Sequence, residues 1–209
     1  MNDQYSEFGF LGSQASHMHK HFIACLLDLA GSLKPDARVL DVGCGNGYTC
    51  GKFLEHGAQV VGIDLSREGI ELARREYPEG RFELVGADDD LLEKLGEEPF
   101  DLVVSTEVVE HLYAPRRWAK GCFAALKPGG LFICTTPYHG YMKNLALSLL
   151  GKWDAHANPL WDGGHIKLWS KRTLFALLTE AGFRNLEFQG AGRWPGFWMT
   201  MIVKAEKPR

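Results

Sequence analysis

The chain has 209 residues, 45% of them hydrophobic, which is enough to bury one full core and too little for a second domain. A net charge of −3 without a long basic stretch excludes a general attraction to nucleic acid and disfavours polyanionic substrates. The five cysteines are odd in number and lack CxxC spacing, no apolar run approaches the roughly 18 residues of a membrane span, and MNDQYSEFG has no leader pattern, so a cytoplasmic protein with reduced thiols is expected.

In chain order, Met18, Phe22, Leu26 and Leu29 recur at helical spacing and predict an amphipathic helix over 14–30, within a helical cover of residues 1–34. His17, His19 and His21 alternate, which on a strand would suggest a metal. On this helix they point in different directions, so a solvated face is expected, with His19 nearest the apolar stripe and able to reach a substrate. Strands are expected near 38–42, 59–63, 81–85, 100–105 and 130–136, alternating with helices near 47–56, 67–76 and 116–126. That alternation demands right-handed crossovers and a doubly wound, mostly parallel α/β sheet with helices on both faces. A helix over 171–181 and strands near 183–189 and 197–204 close the chain, the last two joined as a hairpin through Gly190, Gly192, Pro195 and Gly196.

The first strand runs into VLDVGCGNGYTC, where Gly43, Gly45 and Gly47 let the backbone turn tightly and approach a ligand. A dinucleotide fingerprint needs Gly or Ala where Tyr48 stands, and a pyrophosphate sits poorly beside Asp41. Asp41 suits an ammonium instead, and the loop around Cys44 has room for an amino-acid portion and a ribose. The second strand ends at Asp64, about 20 residues on, where an acid accepts from both ribose hydroxyls and argues against a 2′-phosphate. The third ends in Gly86, Ala87 and Asp88, a carboxylate for an exocyclic adenine amine, and the fourth ends at Glu107, beneath the base and sulfur. Four polar strand ends describe one crevice.

On these motifs the chain resembles the class I S-adenosylmethionine-dependent methyltransferases over nearly all of its length. The resemblance matches the glycine loop to Val39–Thr49, the ribose acid to Asp64 and the adenine-side acid to Asp88, with Asp89 its neighbour. It implies that Leu65 packs on the base and that the last of seven strands inserts antiparallel. EVVEHL, followed by a helix and LKPGGLFICTTP, looks like the branch of ubiquinone-biosynthesis O-methyltransferases.

Methyl transfer from a sulfonium is an in-line displacement, so a small-molecule acceptor with a hydroxyl needs alignment and a base. His111, after the fourth strand, is the candidate base, with Glu110 holding it; the alternative is a helix cap or wall residue. Glu107, Glu110 and His111 also compose a candidate divalent-metal set, which is not favoured because they need not converge. Tyr138, His139 and His165 are expected to line the acceptor pocket. They frame residues 137–169, a connection longer than the usual ~2 to 6 residues and read as a lid or substrate insertion. The apolar helix expected in 141–153, with its lysines and tryptophans, alternatively makes peripheral membrane contact; the lid is favoured, with Tyr5 and Phe8 joining it. N- or C-methylation, or a non-catalytic cofactor-binding sensor or scaffold, are the rival functions. A nucleic-acid methyltransferase is set aside because the position after the fourth strand reads STEVVEHL.

Overall fold

The structure is a computed structural model that describes Gly12, residues 19–161 and residues 163–209. The elements are α1 (His19–Ala30), β1 (Arg38–Val42), α2 (Tyr48–Leu54), β2 (Gln59–Asp64), α3 (Arg67–Glu76), β3 (Arg81–Leu84), α4 (Leu91–Leu95), β4 (Phe100–Thr106), a 3-10 turn (Val109–His111), α5 (Pro115–Ala125), β5 (Leu126–Pro137), α6 (Tyr141–Leu149), α7 (Trp153–His156), α8 (Lys171–Ala181), β6 (Arg184–Ala191) and β7 (Thr200–Glu206). Residues 14–18 of the expected first helix, with His17 and Met18, and Tyr5 and Phe8, lie outside the described residues.

All seven strands join one sheet in the order β3-β2-β1-β4-β5-β7-β6. β1 pairs parallel with β2 and β4, β2 with β3, and β4 with β5, while β7 is antiparallel to both β5 and β6. β7 alone therefore runs against the others, as the resemblance implied. The chain moves outward from β1 to β3 and returns to β4 on the other side of β1. This reversal opens a crevice beyond the carboxyl ends of β1 and β4, where ligands bind in open α/β sheets.

Both faces of the sheet are covered, because neighbouring residues of a strand point to opposite sides. In β4, Val103 joins the core that holds Trp118, Leu174, Leu178 and Phe183, on the side of α5 and α8. Leu102 and Val104 join the core of Phe22, Leu26, Phe53, Ile70 and Phe82, on the side of α1, α2 and α3. Trp118 packs edge-on to Phe132 at 5.6 Å, and its indole N–H donates to Ser105 Oγ, which donates to the Val42 carbonyl. That buried chain fixes α5, β4 and β1 as one unit just below the crevice.

The elements differ from expectation in places with identifiable causes. α4 was not anticipated because its buried residues are Leu91 and Leu95, a single turn that carries too little period to read. β5 begins at Leu126 rather than near 130: the turn-forming Pro128, Gly129 and Gly130 suggested a later start, but Leu126 already pairs with Phe100 ahead of a register shift. α8 follows its local signals closely, opened by a capping box at Ser170 and Thr173 and closed by Gly182 in the left-handed conformation. All five cysteines are free thiols. No described helix is long and apolar enough to cross a membrane.

Candidate active site

The loop between β1 and α2 is held from both sides of the crevice. Gly43, Gly45 and Gly47 all have positive φ, and the Gly43 and Cys44 N–H groups donate to the Ile63 carbonyl at 2.8 and 2.9 Å, which ties the loop to β2. A Cβ on Gly43 would stand 2.2 Å from Val108 Cγ2, on the segment after β4. Gly43→Ala therefore meets both a strained φ and a clash, and is expected to cost about 2–4 kcal/mol; thermal melting checks this, with a fall of roughly 5–15 °C. The Cys44 thiol is buried against the sheet, so this residue meets a ligand only through its backbone.

Asp41 lies inside β1 and is fully buried. Its Oδ2 accepts from the Cys50 thiol at 3.3 Å, while Oδ1 has no partner among the described residues. Burial pushes the carboxyl up to about 7, opposed by the Cys50 bond and reinforced by Asp64. A buried carboxylate with an unsatisfied oxygen lacks a donor or cation that these residues do not supply.

Asp64 ends β2 with both oxygens turned to the loop: Oδ2 accepts from Gly45 N–H at 2.8 Å and Oδ1 from Ser66 N–H at 2.7 Å. An ionised carboxylate has about four acceptor positions, so it can hold the loop and a pair of hydroxyls together. Leu65 beside it is half exposed and lies against Gly86 after β3, which leaves an apolar surface at the height of the acid.

Asp88 and Asp89 are already engaged in ion pairs. Asp88 Oδ2 accepts from Lys94 Nζ at 3.1 Å, and Asp89 Oδ1 from Arg117 Nη2 at 3.0 Å, a bond that holds Asp89 below the usual carboxylate range. α4 brings in Lys94 and α5 brings in Arg117.

On the other side of the crevice the segment after β4 and the 137–169 insertion gather polar side chains into one cluster, the polar chamber of this site. Glu107 adopts a positive φ of 55°, a strained conformation for a non-glycine residue. Its N–H donates to Thr135 Oγ1, and its Oε1 accepts from the same hydroxyl at 2.8 Å. Burial pushes its carboxyl up to about 7, against the Thr135 bond and the Lys143 charge. Glu110 is almost fully buried, with Oε2 bonded to Thr136 Oγ1 at 2.9 Å and Oε1 without a partner among the described residues. Burial and the nearby Glu107 raise it well above the carboxylate range.

His111 turns its Nδ1 to the Gly163 carbonyl at 2.7 Å and the Gly164 carbonyl at 3.2 Å. A carbonyl only accepts, so Nδ1 carries the proton and Nε2 is the acceptor nitrogen, 3.9 Å from Glu110 Oε1. Burial lowers the His111 pKa, which keeps the ring neutral near pH 7. His165 meets His111 edge-on at 5.0 Å and Trp161 at 5.5 Å, and burial lowers its own pKa to about 4.

Ligand atoms of Glu110, His111 and His165 lie within 4.8 Å of one another. The expected set of Glu107, Glu110 and His111 is thereby corrected: Thr135 draws Glu107 aside, and His165 takes its place across 54 residues of chain. His19, the first residue of α1, packs on Tyr48 at 5.0 Å and on Phe22 at 5.4 Å, at the glycine-loop end. Tyr138 packs its ring against Trp198 at 5.1 Å and Phe188 at 6.0 Å, so it supports the β6–β7 hairpin. His139 joins His156 and Trp153 at the chamber wall, its Nδ1 on Asn144 Oδ1 at 3.1 Å and its Nε2 buried without a partner among the described residues.

Residues 15–187 match a family described as "Methyltransferase domain". The chain belongs to that family. Within it, the chain is 33% identical over 180 residues to the ubiquinone biosynthesis O-methyltransferase of Ruegeria pomeroyi, a match covering 82% of this chain and 71% of the relative. It is 37% identical over 117 residues to the protein of the same name from Maricaulis maris, covering 54% of this chain and 45% of that relative's length. A putative methyltransferase from Bacillus halodurans shares the fold at a TM-score of 0.68 and 19% identity, covering 90% of this chain and 99% of that one. The 1,6-didemethyltoxoflavin-N1-methyltransferase of Burkholderia thailandensis, solved with bound S-adenosylhomocysteine, shares it at 0.60 and 23%, covering 84% and 72%. The methyltransferase-domain chain thus carries its glycine loop and Asp64 on one side of the crevice and the polar cluster around Glu110, His111 and His165 on the other.

Proposed function

We propose that this methyltransferase-domain protein transfers the methyl group of S-adenosylmethionine to a hydroxyl of a small, apolar or aromatic acceptor. Asp41 and the glycine loop hold the methionine end, Asp64 the ribose, and Leu65 and the backbone after β3 the base. The observation that carries the oxygen acceptor is His111. Its Nδ1 is committed to the Gly163 carbonyl, so Nε2 is a neutral imidazole acceptor inside the chamber, able to take a phenolic proton as the bond to carbon forms. The named O-methyltransferases among the relatives support the same reading. Incubation with methyl-labelled cofactor and a set of phenols, catechols and amines tests it: labelled methyl ethers are expected, and labelled amines alone would overturn it.

Cofactor affinity should depend on pH in a direction set by Asp41. Its pKa in the ligand-free protein is about 7, and a cationic amino acid favours the ionised form. Below that value a proton must leave before the ligand binds, so affinity is lost as pH falls, approaching tenfold per unit well below the pKa. Titration between pH 5.5 and 7 checks this; Asp41→Asn should bind weakly with a flattened profile.

A divalent cation is a second reading, favoured by the convergence of Glu110, His111 and His165. The donor set fits a cation: one buried carboxylate oxygen without a partner and two imidazoles. Bound there, the ion would lower the pKa of a catechol oxygen. Loss of turnover on chelation, restored by added Mg²⁺ or Mn²⁺, would make His111 a ligand rather than the base. Peripheral membrane contact through 141–153 also gains an observation, because Tyr141, Met142, Leu145 and Leu149 of α6 are exposed. Co-sedimentation with lipid vesicles, lost in Leu145→Asp/Leu149→Asp, tests it.

A further inference from the structure

α6 is inverted relative to an ordinary amphipathic helix. Leu145, Leu149 and Tyr141 face outward, and the one residue it buries is Lys143, only 8% exposed. Among the described residues Lys143 makes no hydrogen bond or ion pair. Arg193 adds a second positive charge that acts on it. Glu107, the acid acting on it, is already bonded to Thr135.

Lys143 also belongs to the first turn of its helix, where the backbone N–H groups make the potential positive. Gly140 at the N-cap supplies no side-chain bond to that turn. A largely enclosed ammonium without a bonded partner is stabilised by an anion that joins it. The chamber next to it offers imidazole nitrogens on His139 and His156 that are buried and without partners among the described residues. These are groups for a polar acceptor.

Resting on the reading of this chamber as the acceptor site, we propose that Lys143, reinforced by Arg193, anchors a carboxylate of the acceptor. The acceptor is then a hydroxylated carboxylic acid rather than a neutral phenol. A monoanion matches one ammonium, whereas a phosphate would bring a second negative charge near Glu107.

The test titrates the full chain, saturated with S-adenosylhomocysteine, with 3,4-dihydroxybenzoate and with uncharged 4-methylcatechol. The wild type is expected to bind the benzoate at least tenfold more tightly. Lys143→Met should bring that ratio close to one, Lys143→Arg should keep most of it, and S-adenosylhomocysteine affinity should stay the same in all three. Equal affinity for the two probes in the wild type, no saturable binding of the benzoate, or an undiminished ratio in Lys143→Met overturns the anchor. The first two outcomes need no variant to fold. Methyl ether formation, scored separately, reads the oxygen-transfer proposal: an ether on 4-methylcatechol without carboxylate preference sinks the anchor alone, and a tenfold preference without any ether sinks only the transfer.

Discussion

Asp64→Ala is expected to weaken S-adenosylmethionine binding by about 100-fold or more. Hydrogen bonds to a charged acceptor contribute about 1.5–3 kcal/mol each, so losing both ribose bonds removes about 3 kcal/mol or more, and 1.4 kcal/mol is tenfold. The same carboxylate receives Gly45 and Ser66 N–H groups, so its removal also frees the glycine loop and the start of α3. The loop must then be ordered at the moment of binding, which adds to the loss. Asp64→Asn keeps an acceptor oxygen and should fall between the two. Calorimetric titration of the three proteins measures this, and equal affinities would move the ribose elsewhere in the crevice.

This acid was legible in the sequence because its position depends on short-range rules: an apolar run, a glycine turn and a second apolar run ending in Asp64. The same rules predict the succession of strands and helices along the chain, while the antiparallel last strand was implied by the resemblance. What was not legible depends on contacts between distant segments. Nothing near His111 in sequence indicates that Gly163 orients its ring or that His165 meets it edge-on; the long insertion folding back onto the segment after β4 creates both. The ion pair of Asp89 was not legible because its partner Arg117 lies on a later helix. His19 was assigned by its closeness to an apolar stripe, which was correct for burial, but the register of α1 decides which neighbour it meets, and that is Tyr48. α6 is the sharpest case. Its composition predicts a helix apolar nearly all round, and the residue it buries is a lysine, on the side of Glu107, His139 and His156.

His111→Ala is expected to leave cofactor binding within about threefold of the wild type and to lower turnover by about 10²–10⁴, the range for losing a positioned general base. Removal of the ring also leaves the Gly163 and Gly164 carbonyls without their donor, which loosens the insertion near His165 and raises the acceptor KM. His111→Gln separates the two effects, since its amide can still donate to those carbonyls but cannot take up a proton at neutral pH. The glutamine protein should therefore recover acceptor binding and not turnover. The pH profile of kcat/KM supplies an independent reading. Burial lowers the His111 pKa below its usual 6.5, so the ring stays neutral and active on moderate acidification, and the acid limb attributable to it should lie below pH 6.5. A wild-type rate that His111→Gln reproduces, with the same acid limb, would take His111 out of the proton transfer and leave proximity and desolvation to drive the displacement.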